Sequence, residues 1–459
     1  MQKTPKGWHY FHLSVELLTE AVGETPKQNF FKEIISFADI GCEMVTNVLE
    51  NPQVQNLMKN EKFDLIIIES LLGEALYGLG EHFNAPMVGV STMGTVNFVD
   101  MLVGNISPTS YIPHMSLPFS NNMSLKERLI NVLANILDDI SLNLIILPKQ
   151  EELFNKYFPS SKLTFKEAVT NFSLVLINQH FTLSYPRPYV SNMIEVGGLH
   201  IKQQPDSLPL DMQQFLDNAT EGAIYFSMGS NVKSKDLPKE TLNIFLDTFH
   251  ELKLKVLWKF EAESLPNKPD NVFIKSWYPQ PSILAHPNVK LFISHGGFLS
   301  TTETIFHGKP ILGIPVFGDQ PMNVKHAEQQ GFALSLQLNE ITKESFKAKI
   351  MELLNNERYT KRVQQLSKRY RDQPQTPLEK AIYWIEYVLR HDGAPHLRNG
   401  GADLSYLQLY NIDAYAILIG GLLFIVAILV VIVRLMVKLL CKKKKAKKSR
   451  DGKTKVKRN

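Results

Sequence analysis

The chain has 459 residues, of which 44% are hydrophobic, enough for two domains of roughly 200 residues with substantial cores. Its net charge of +5 is unevenly distributed, because thirteen Lys/Arg and one acid between Arg434 and Asn459 give this tail +12 and leave −7 for the rest. The body is therefore mildly acidic and has no basic stripe, which argues against nucleic acid as a partner.

The first elements alternate between helical and strand patterns. Apolar residues recur at helical spacing over residues 30–58. "FDLIIIES" and "APMVGVST" are short apolar runs of the kind that forms buried parallel strands, and the helix-like segment "GEALYGLGEHFN" lies between them. Strand, helix and strand in this order predict an α/β domain with a doubly wound sheet.

A second α/β domain is predicted after a linker. Residues 124–172 have a helical pattern, "FSLVLIN" has a strand pattern, and the Pro- and Gly-rich segment "YPRPYVSNMIEVGGLHIKQQPDSLP" follows. Strand and helix patterns then alternate again from "GAIYFSMGS" to "PILGIP", with further helices from about residue 343 to residue 390. We therefore expect two Rossmann-like domains, residues 1–200 and 201–400.

An uncharged apolar segment precedes the basic tail. Residues 414–433, "AYAILIGGLLFIVAILVVIV", are about as long as a helix must be to cross a bilayer, although a buried core helix is the alternative. Because flanks rich in Lys and Arg stay cytosolic, the tail of residues 434–459 should be cytosolic. The body, joined through residues 401–413, should be lumenal. Lys455 and Lys457 resemble a dilysine retrieval signal for the endoplasmic reticulum.

The predicted orientation bears on how the chain begins. A lumenal body requires a signal peptide, and "MQKTPKGWHYFHLSVELL" lacks the long apolar core of one. We therefore expect an N-terminal piece upstream of this chain; a body that stays cytosolic against the charge rule is the alternative. Sequons that fit the lumenal side occur at Asn105, Asn122, Asn171 and Asn218.

Two loops after predicted strands have the composition of phosphate-binding loops. Ligands of a parallel sheet bind beyond the carboxyl ends of its strands. One strand ends at His295, and Gly296 and Gly297 lead into a helix whose first N–H groups, near Ser300, favour an anion. "SMGS", which ends at Ser230, repeats this arrangement at the first strand of the domain. Two such loops fit a diphosphate, whereas a plain strand–helix turn capped by Ser300 is the alternative.

Residues at the ends of other strands have side chains suited to a sugar and a base. Asp319 and Gln320 follow "PILGIPVF", and a carboxylate beside an amide can bind several hydroxyls. A turn with solvated polar residues is the alternative. Trp277 ends another strand and Gln280 lies three residues further on, so an indole could stack on a base while the amide bonds its edge. Simple packing is the alternative for the tryptophan.

The order of these residues resembles the signature of the UDP-glycosyltransferases, a family of two Rossmann-like domains with the GT-B fold. The signature comprises Trp277, Gln280, His295, Gly296, Gly297, Ser300, Glu303, Pro310, Pro315, Asp319 and Gln320. The resemblance extends from about residue 30 to the tail, and it implies an incomplete acceptor-binding domain, residues 1–200, that lacks its first strand and helix, and a donor-binding domain, residues 201–400. With "IEVGGLHI", "FSMGS", the apolar segment and the basic tail, the chain is similar to the animal, membrane-bound and insect-like branch.

The resemblance implies a role for each residue of the signature. Trp277 would stack on uracil, Gln280 would hydrogen-bond it, and Glu303 would hold the ribose. The residues that would hold the diphosphate are His295, Ser300, Ser230 and Gly297, and those that would hold the donor sugar are Asp319 and Gln320. UDP-sugar is a co-substrate, and neither a cofactor nor a metal ion is implied. Because the chain has no Asp-x-Asp, helix N-termini and side chains must stabilise the leaving group.

The family transfers a sugar with inversion to an acceptor hydroxyl, here expected on a small lipophilic molecule, and this reaction needs a general base. Relatives supply a histidine from the first loop of the N-terminal domain, oriented by an acid whose position corresponds to Glu69. His9 and His12 do not match that histidine motif, so we expect the base upstream of Met1 and little or no transferase activity. The alternative is a non-catalytic shortened form that binds UDP-sugar, or forms an oligomer with full-length relatives, and regulates them.

The resemblance also bears on the donor sugar. Relatives that use glucuronate carry an arginine soon after the strand that precedes the Pro-Arg-Pro motif, and Asn178 stands at that position. Without this cation a sugar carboxylate lacks its partner. The sequence therefore favours UDP-glucose over UDP-glucuronate.

Overall fold

The computed structural model describes residues 30–456, which form two units. The body extends to Ala402, and the C-terminal unit begins at Asp403.

The first sheet of the body has four strands. They are β1 (Ile66–Glu69), β2 (Met87–Ser91), β3 (Phe172–Ile177) and β4 (Met193–Glu195). They lie side by side in this order, and all neighbours are parallel. β3 is buried almost along its whole length, as expected for an apolar strand inside a parallel sheet, whereas burial alternates along β1 at the edge of the described sheet.

The second sheet has six strands. They are β5 (Ala223–Ser227), β6 (Lys255–Lys259), β7 (Val272–Lys275), β8 (Val289–Ser294), β9 (Ile311–Gly313) and β10 (Ala333–Ser335). Their spatial order is β10-β9-β8-β5-β6-β7, and all neighbours are parallel. This is the Rossmann order, in which the winding reverses between β5 and β8. The prediction of two Rossmann-like α/β domains is confirmed.

Helices connect and cover the strands. Those of the body are α1 (Phe30–Leu49), α2 (Pro52–Asn60), α3 (Gly78–Phe83), α4 (Asn97–Val103), α5 (Leu125–Ser141), α6 (Leu147–Tyr157), α7 (Phe165–Val169), α8 (Leu210–Asp217), α9 (Lys239–Leu252), α10 (Gln280–Ala285), α11 (Phe298–His307), α12 (Gln320–Gln330), α13 (Lys343–Asn355), α14 (Glu357–Arg371) and α15 (Pro377–Arg390). Ser124, Thr164 and Thr376 begin three of them with reciprocal capping boxes. A π turn, Leu142–Ile146, joins α5 to α6.

Each sheet has its own apolar core. In the second, the fully buried Trp258 of β6 stacks on Phe226 of β5 with ring centroids 5.0 Å apart, and Phe249 of α9 packs edge-on against it. A separate cluster at the first sheet includes Val175 and Ile177 of β3. The two sheets therefore bury their apolar side chains independently.

The last long helix of the body covers the first sheet. Ala381 and Val388 of α15 are buried in one cluster with Val88 of β2 and Leu174 of β3. The chain thus returns to the first sheet after α14, although α15 lies within the range 201–400 predicted for the second domain. The apolar face of α15 provides the reason, because it removes side chains of β2 and β3 from water.

The C-terminal unit contains α16 (Tyr406–Leu409) and α17 (Ile412–Val456). Within α17, the stretch Ile412–Lys445 contains an 18-residue window with a mean hydropathy of 3.3 and is long and apolar enough to cross a membrane. This stretch includes the predicted segment 414–433, and the helix continues into the predicted basic tail. A second stretch, Leu125–Tyr157 in the body, meets the same criteria with an 18-residue window whose mean hydropathy is 1.6.

Candidate donor site and interdomain cleft

Two loops meet where the winding of the second sheet reverses. β5 and β8 are neighbours, and Ser227 pairs with Ser294 at their carboxyl ends. The loop after β5 contains Gly229 and Ser230, and the loop after β8 begins at His295. A crevice at such a reversal is where open α/β sheets bind their ligands. The structure thus brings together the two loops singled out in the sequence.

The imidazole ring of His295, the first residue of the second loop, lies between Gly229 and Gly297. A Cβ atom added to Gly229 would stand 2.5 Å from Cε1 of the imidazole, and one added to Gly297 would stand 2.5 Å from Nε2. Nδ1 of His295 is buried and has no hydrogen-bond partner among the described residues. Burial, with a smaller effect of Lys259, lowers the pKa of His295 to about 4. The ring is therefore neutral near pH 7.

The start of α11 has no side-chain cap. Ser300, the expected cap of a plain strand–helix turn, instead accepts a hydrogen bond on its Oγ from Nε2 of Gln280 at 3.0 Å. The hydroxyl of Thr301 donates back to the Gly297 carbonyl at 3.1 Å, as helical threonines commonly do. The structure therefore does not support the capped-turn alternative.

A polar network joins the start of α10 to α11. Gln280 Nε2 donates to Glu303 Oε2 at 2.6 Å in addition to its bond to Ser300. His200 Nε2 lies 3.4 Å from Glu303 Oε1. Three residues of the predicted signature thus contact one another. Sequence reasoning missed His200, for which the only signal was its place in the "GGLH" segment.

Trp277 and Lys259 flank the same crevice. Trp277 is 68% exposed, so packing does not account for its position. Nζ of Lys259 lies 5.8 Å from the centre of the Trp277 ring and donates to the Gly229 carbonyl and to the Glu261 carboxylate, both at 2.8 Å. Sequence reasoning also missed Lys259, although a lysine at the end of the buried strand "KVLWKF" is an available signal.

Asp319 and Gln320 differ in the atoms that remain for a ligand. Asp319 Oδ2 accepts from Nδ2 of Asn323 at 2.6 Å, and burial raises the pKa of this carboxyl. Gln320 is buried, and its Oε1 accepts from the N–H groups of Val316 at 2.8 Å and Phe317 at 3.2 Å. The Gln320 carbonyl therefore holds the preceding loop, and only its NH₂ group remains for a sugar hydroxyl.

A cleft that is open to solvent lies between the half of the body that contains the first sheet and the half that contains the second, and its empty space, open solvent included, is about 820 Å³. Its walls include Thr95, His114 and Arg187 from the first half, and Asp319 and His326 from the second. Asp319, one of the two residues predicted to hold the donor sugar, thus faces the cleft. The Nδ1 atom of His326 is buried without a partner in the described part of the chain.

Residues of the cleft wall form one ion pair and one histidine–carboxylate hydrogen bond. Nη2 of Arg187 lies 2.7 Å from Asp100 Oδ2, and both side chains are at most 6% exposed. Nε2 of His114 lies 2.6 Å from Asp138 Oδ2, and Nδ1 of His114 accepts from the Ser116 N–H at 3.3 Å. Because both ring nitrogens of His114 are bonded, this pair fixes the loop before α5 and leaves no free basic nitrogen.

Glu69, the predicted orienting acid, contacts Thr92. One carboxylate oxygen accepts from the Thr92 N–H at 3.5 Å and from its hydroxyl at 3.3 Å. Burial raises the pKa of Glu69. Among the described residues, no histidine hydrogen-bonds to this carboxylate. His9 and His12 lie outside the described residues.

Asn178 connects two backbone segments through its side-chain amide. Its Nδ2 donates to the Thr92 carbonyl at 3.1 Å, and its Oδ1 accepts from the Gly198 N–H at 2.8 Å. It is buried and does not line the cleft. The residue therefore ties the end of β3 to the segment that leads into the second half.

The expected absence of a metal ion stays a prediction. Within residues 35–445, no three His, Cys, Asp or Glu side chains form a group that could hold one.

The fold and the crevice define the class of protein, a glycosyltransferase with the GT-B fold. A structure of UDP-glucose:anthocyanidin 3-O-glucosyltransferase in complex with UDP matches with a TM-score of 0.53 at 15% identity, covering 80% of this chain and 84% of that chain. The model of the family "UDP-glucoronosyl and UDP-glucosyl transferase" matches residues 8–450, and the chain belongs to this family.

Known relatives come from insects and other animals. UDP-glycosyltransferase UGT5 of Dactylopius coccus is 38% identical over 392 residues, which are 85% of this chain and 74% of that protein. UDP-glucuronosyltransferase 2A3 of Mus musculus is 30% identical over 436 residues, 94% of this chain and 79% of that protein. The predicted resemblance to the animal branch is confirmed.

Proposed function

We propose that the donor site of this chain binds UDP-glucose in preference to UDP-glucuronate, for inverting transfer of the hexose to a hydroxyl of a small lipophilic acceptor. The observation that carries this proposal is the neutral, buried His295 between Gly229 and Gly297 at the reversal of the second sheet. Its unpaired Nδ1 needs a partner, because buried polar atoms are almost always hydrogen-bonded. A diphosphate oxygen is such a partner when Nδ1 carries the proton.

The remaining donor contacts follow from the same crevice. The exposed Trp277 would stack on uracil, Gln280 would bond the base, and Glu303 would hold the ribose. Ser230, Ser300 and the backbone at Gly297 would complete the diphosphate site. Asp319 and the NH₂ group of Gln320 would hold the hexose hydroxyls, and no metal ion takes part.

The preference for glucose rests on the cations of the cleft. Arg187 is the one Lys or Arg side chain among the described wall residues, and it is already paired with Asp100. A sugar carboxylate would therefore enter a cleft without a free cation and with Asp319 nearby. Burying such an unpaired charge is unfavourable, whereas the uncharged glucose C6 hydroxymethyl group avoids this cost.

Equilibrium competition against a labelled UDP ligand tests the preference. We expect UDP-glucose to bind about tenfold more tightly than UDP-glucuronate, which corresponds to ~1.4 kcal/mol. UDP serves as the reference, since its contacts are common to both donors. Tighter binding of UDP-glucuronate than of UDP-glucose contradicts the proposal.

A second function is favoured by the surroundings of Glu69. This acid contacts Thr92 and no described histidine, so no oriented base is found next to it within residues 30–456. Such a chain would bind UDP-sugar, or pair with full-length relatives, and regulate them. We expect little or no turnover of UDP-glucose with a phenol by this chain alone. Readily measured turnover would rule out the regulatory function.

The C-terminal unit supports attachment to a membrane. We propose that residues 414–433 cross the endoplasmic reticulum membrane once, with residues 434–459 in the cytosol and the body in the lumen. The apolar stretch of α17 and the basic residues after it support this orientation.

A further inference from the structure

The helix α5 presents an apolar face to solvent. The exposed apolar side chains of α5 and the π turn are Leu125, Leu129, Ile130, Val132, Leu133, Ile136, Leu137, Ile140 and Leu144, which we name the outer stripe. Their spacing of three and four residues places them along one side of the helix. Leu133 is 59% exposed and Leu144 is 72% exposed. A contiguous apolar stripe of this length is unusual on a protein surface and marks an interaction site.

The opposite side of α5 is polar and buried. The fully buried Asn131 donates to the carbonyls of Thr109 and Ile112 and accepts from the His114 N–H. One turn further on, Asn135 donates to the Asn131 carbonyl at 2.7 Å, and Asp138 then pairs with His114. The amphipathic pattern is therefore inverted relative to a surface helix of a soluble protein, whose apolar side faces the core.

We propose that the outer stripe lies in the surface of a lipid bilayer. The inference rests on the proposed attachment of the chain to a membrane. Nine residues, 403–411, separate the body from α17, and a chain of this length reaches at most about 30 Å. A body tethered so closely to a bilayer meets its surface at high effective concentration.

The composition of the outer stripe favours lipid over a protein partner. Every member is Leu, Ile or Val, whereas protein interfaces are enriched in aromatic residues, Met and Arg. Lys126 and Arg128 are exposed in the first turn of α5 and form no ion pair with a described residue. Apolar residues on one side and basic residues at the edge are typical of helices that lie in the membrane interface.

The placement also connects the membrane to the cleft. Asn135 and Asp138, on the polar side of α5, line the cleft. A helix whose outer side lies in lipid would therefore form part of the cleft wall with its inner side. Lipophilic acceptors dissolved in the bilayer would reach the donor site next to this helix.

Quenching by brominated lipids in proteoliposomes tests the proposal. The full chain carries Cys42→Ser and Cys441→Ser, and a bimane label on one introduced cysteine at Leu133, at Phe424 of α17 or at Gln365, an exposed polar position of α14. Vesicles contain phosphatidylcholine with a minor fraction of phosphatidylserine. Unchanged UDP binding confirms that each labelled protein is folded. We expect at least about twofold stronger quenching at position 133 than at 365, because interfacial helices reach the acyl chains.

Each other outcome overturns the inference in a recognisable way. Quenching at 424 without quenching at 133 refutes the docking of α5 and leaves the membrane attachment intact. Absence of quenching at both positions refutes the attachment and the inference together. Cross-linking between copies through the unlabelled cysteine at position 133, without lipid quenching of the labelled chain, would assign the outer stripe to a dimer. Solvent access at 133 that appears only after removal of residues 1–29 would show that the chain's own N-terminal residues cover it.

Discussion

At the scale of single residues, the proposed donor crevice depends on Gly229 and on its contacts with Lys259 and His295. Gly229 has a φ of +82°, a conformation that favours glycine, and its carbonyl accepts from the buried Lys259. The imidazole of His295 fills the space in which a side chain at Gly229 would stand. In the proposed donor site, the space open to a diphosphate therefore depends on the absence of a side chain at Gly229 as much as on the side chains present.

Gly229→Ala should remove most of the affinity for UDP. The added methyl group would stand 2.5 Å from His295, and the positive φ would be strained. We expect Kd for UDP, measured by calorimetry, to rise by at least about tenfold, or ~1.4 kcal/mol. The matched control is Gly331→Ala, which has the same φ of +82° but only Arg362 Cγ nearby, at 3.6 Å. It should lose about 1–2 kcal/mol of stability from backbone strain and keep its UDP affinity. Equal UDP affinities of the two variants would contradict the role of His295.

Asp319→Ala should separate sugar binding from nucleotide binding. The carboxylate faces the cleft, and a hydrogen bond to a charged group contributes about 1.5–3 kcal/mol, so Kd for UDP-glucose should rise about tenfold or more while Kd for UDP changes little. Burial raises the pKa of Asp319, so lowering the pH should weaken UDP-glucose binding by the wild type at a higher pH than an ordinary aspartate would. Gln320→Ala is the comparison, because it releases the N–H groups of Val316 and Phe317 and should lower thermal stability as well. Equal losses for UDP and UDP-glucose in Asp319→Ala argue against the sugar role.

At the scale of elements, most strands were predictable because their signal is local, whereas the three-residue strands β4, inside the predicted linker, and β10 were missed. Runs such as "FDLIIIES" and "VKLFISH" are short, apolar and bounded by polar residues, and each became a parallel strand. The loops after β5 and β8 could be placed together, since the carboxyl ends of parallel strands share one edge. The return of α15 to the first sheet and the inverted polarity of α5 depend on contacts with distant residues, which a single sequence does not display. The same holds for the loop-holding role of Gln320 and for His200 beside Glu303.

Val388→Ala should show that α15 stabilises the first sheet. Val388 is fully buried in one cluster with Val88 and Leu174, and removing two buried methyl groups should cost about 1–3 kcal/mol of unfolding free energy. Leu389→Ala is the control, because the neighbouring Leu389 is 43% exposed and should change stability by less than about 1 kcal/mol. Denaturant unfolding monitored in detergent measures both variants. Similar losses would mean that α15 is not packed on the sheet.

At the scale of the whole molecule, three polar contacts tie the first half of the body and its linker to the second. The hydroxyl of Tyr370 donates to the Gly197 carbonyl at 2.5 Å, and the hydroxyl of Tyr185 donates to Gln329 Oε1 at 2.7 Å. His200 contacts Glu303 within the donor crevice itself. The cleft is thus built from both halves, so occupation of the proposed donor site and the geometry of the cleft should depend on one another.

Glycosylation tests the proposed lumenal position of the body, and the structure sharpens which sequons count. Asn105 is 5% exposed, its Nδ2 donates to Asp100 at 2.7 Å, and its Oδ1 accepts from the Val190 N–H at 3.2 Å. A glycan attached to Nδ2 has no room at this buried position, so the folded chain should carry none at this sequon. Asn122, Asn171 and Asn218 are exposed and should be modified if the body is lumenal.

Endoglycosidase treatment of the chain expressed in animal cells, followed by electrophoresis, measures this outcome. Treatment should increase the mobility of the wild type, and Asn122→Gln and Asn171→Gln should each remove one step of the shift. Asn105→Gln should leave the mobility unchanged, yet lower the stability of the body because the bond to the buried Asp100–Arg187 pair is altered. A wild type whose mobility does not respond to the enzyme contradicts the lumenal orientation, and a shift that disappears with Asn105→Gln contradicts the buried position of this side chain. Asn122 lies just before α5, so a glycan at this position would also restrict how the outer stripe approaches a membrane. When the glycan and the outer stripe lie on the same side of the membrane, Asn122→Gln should therefore strengthen the lipid quenching expected at position 133.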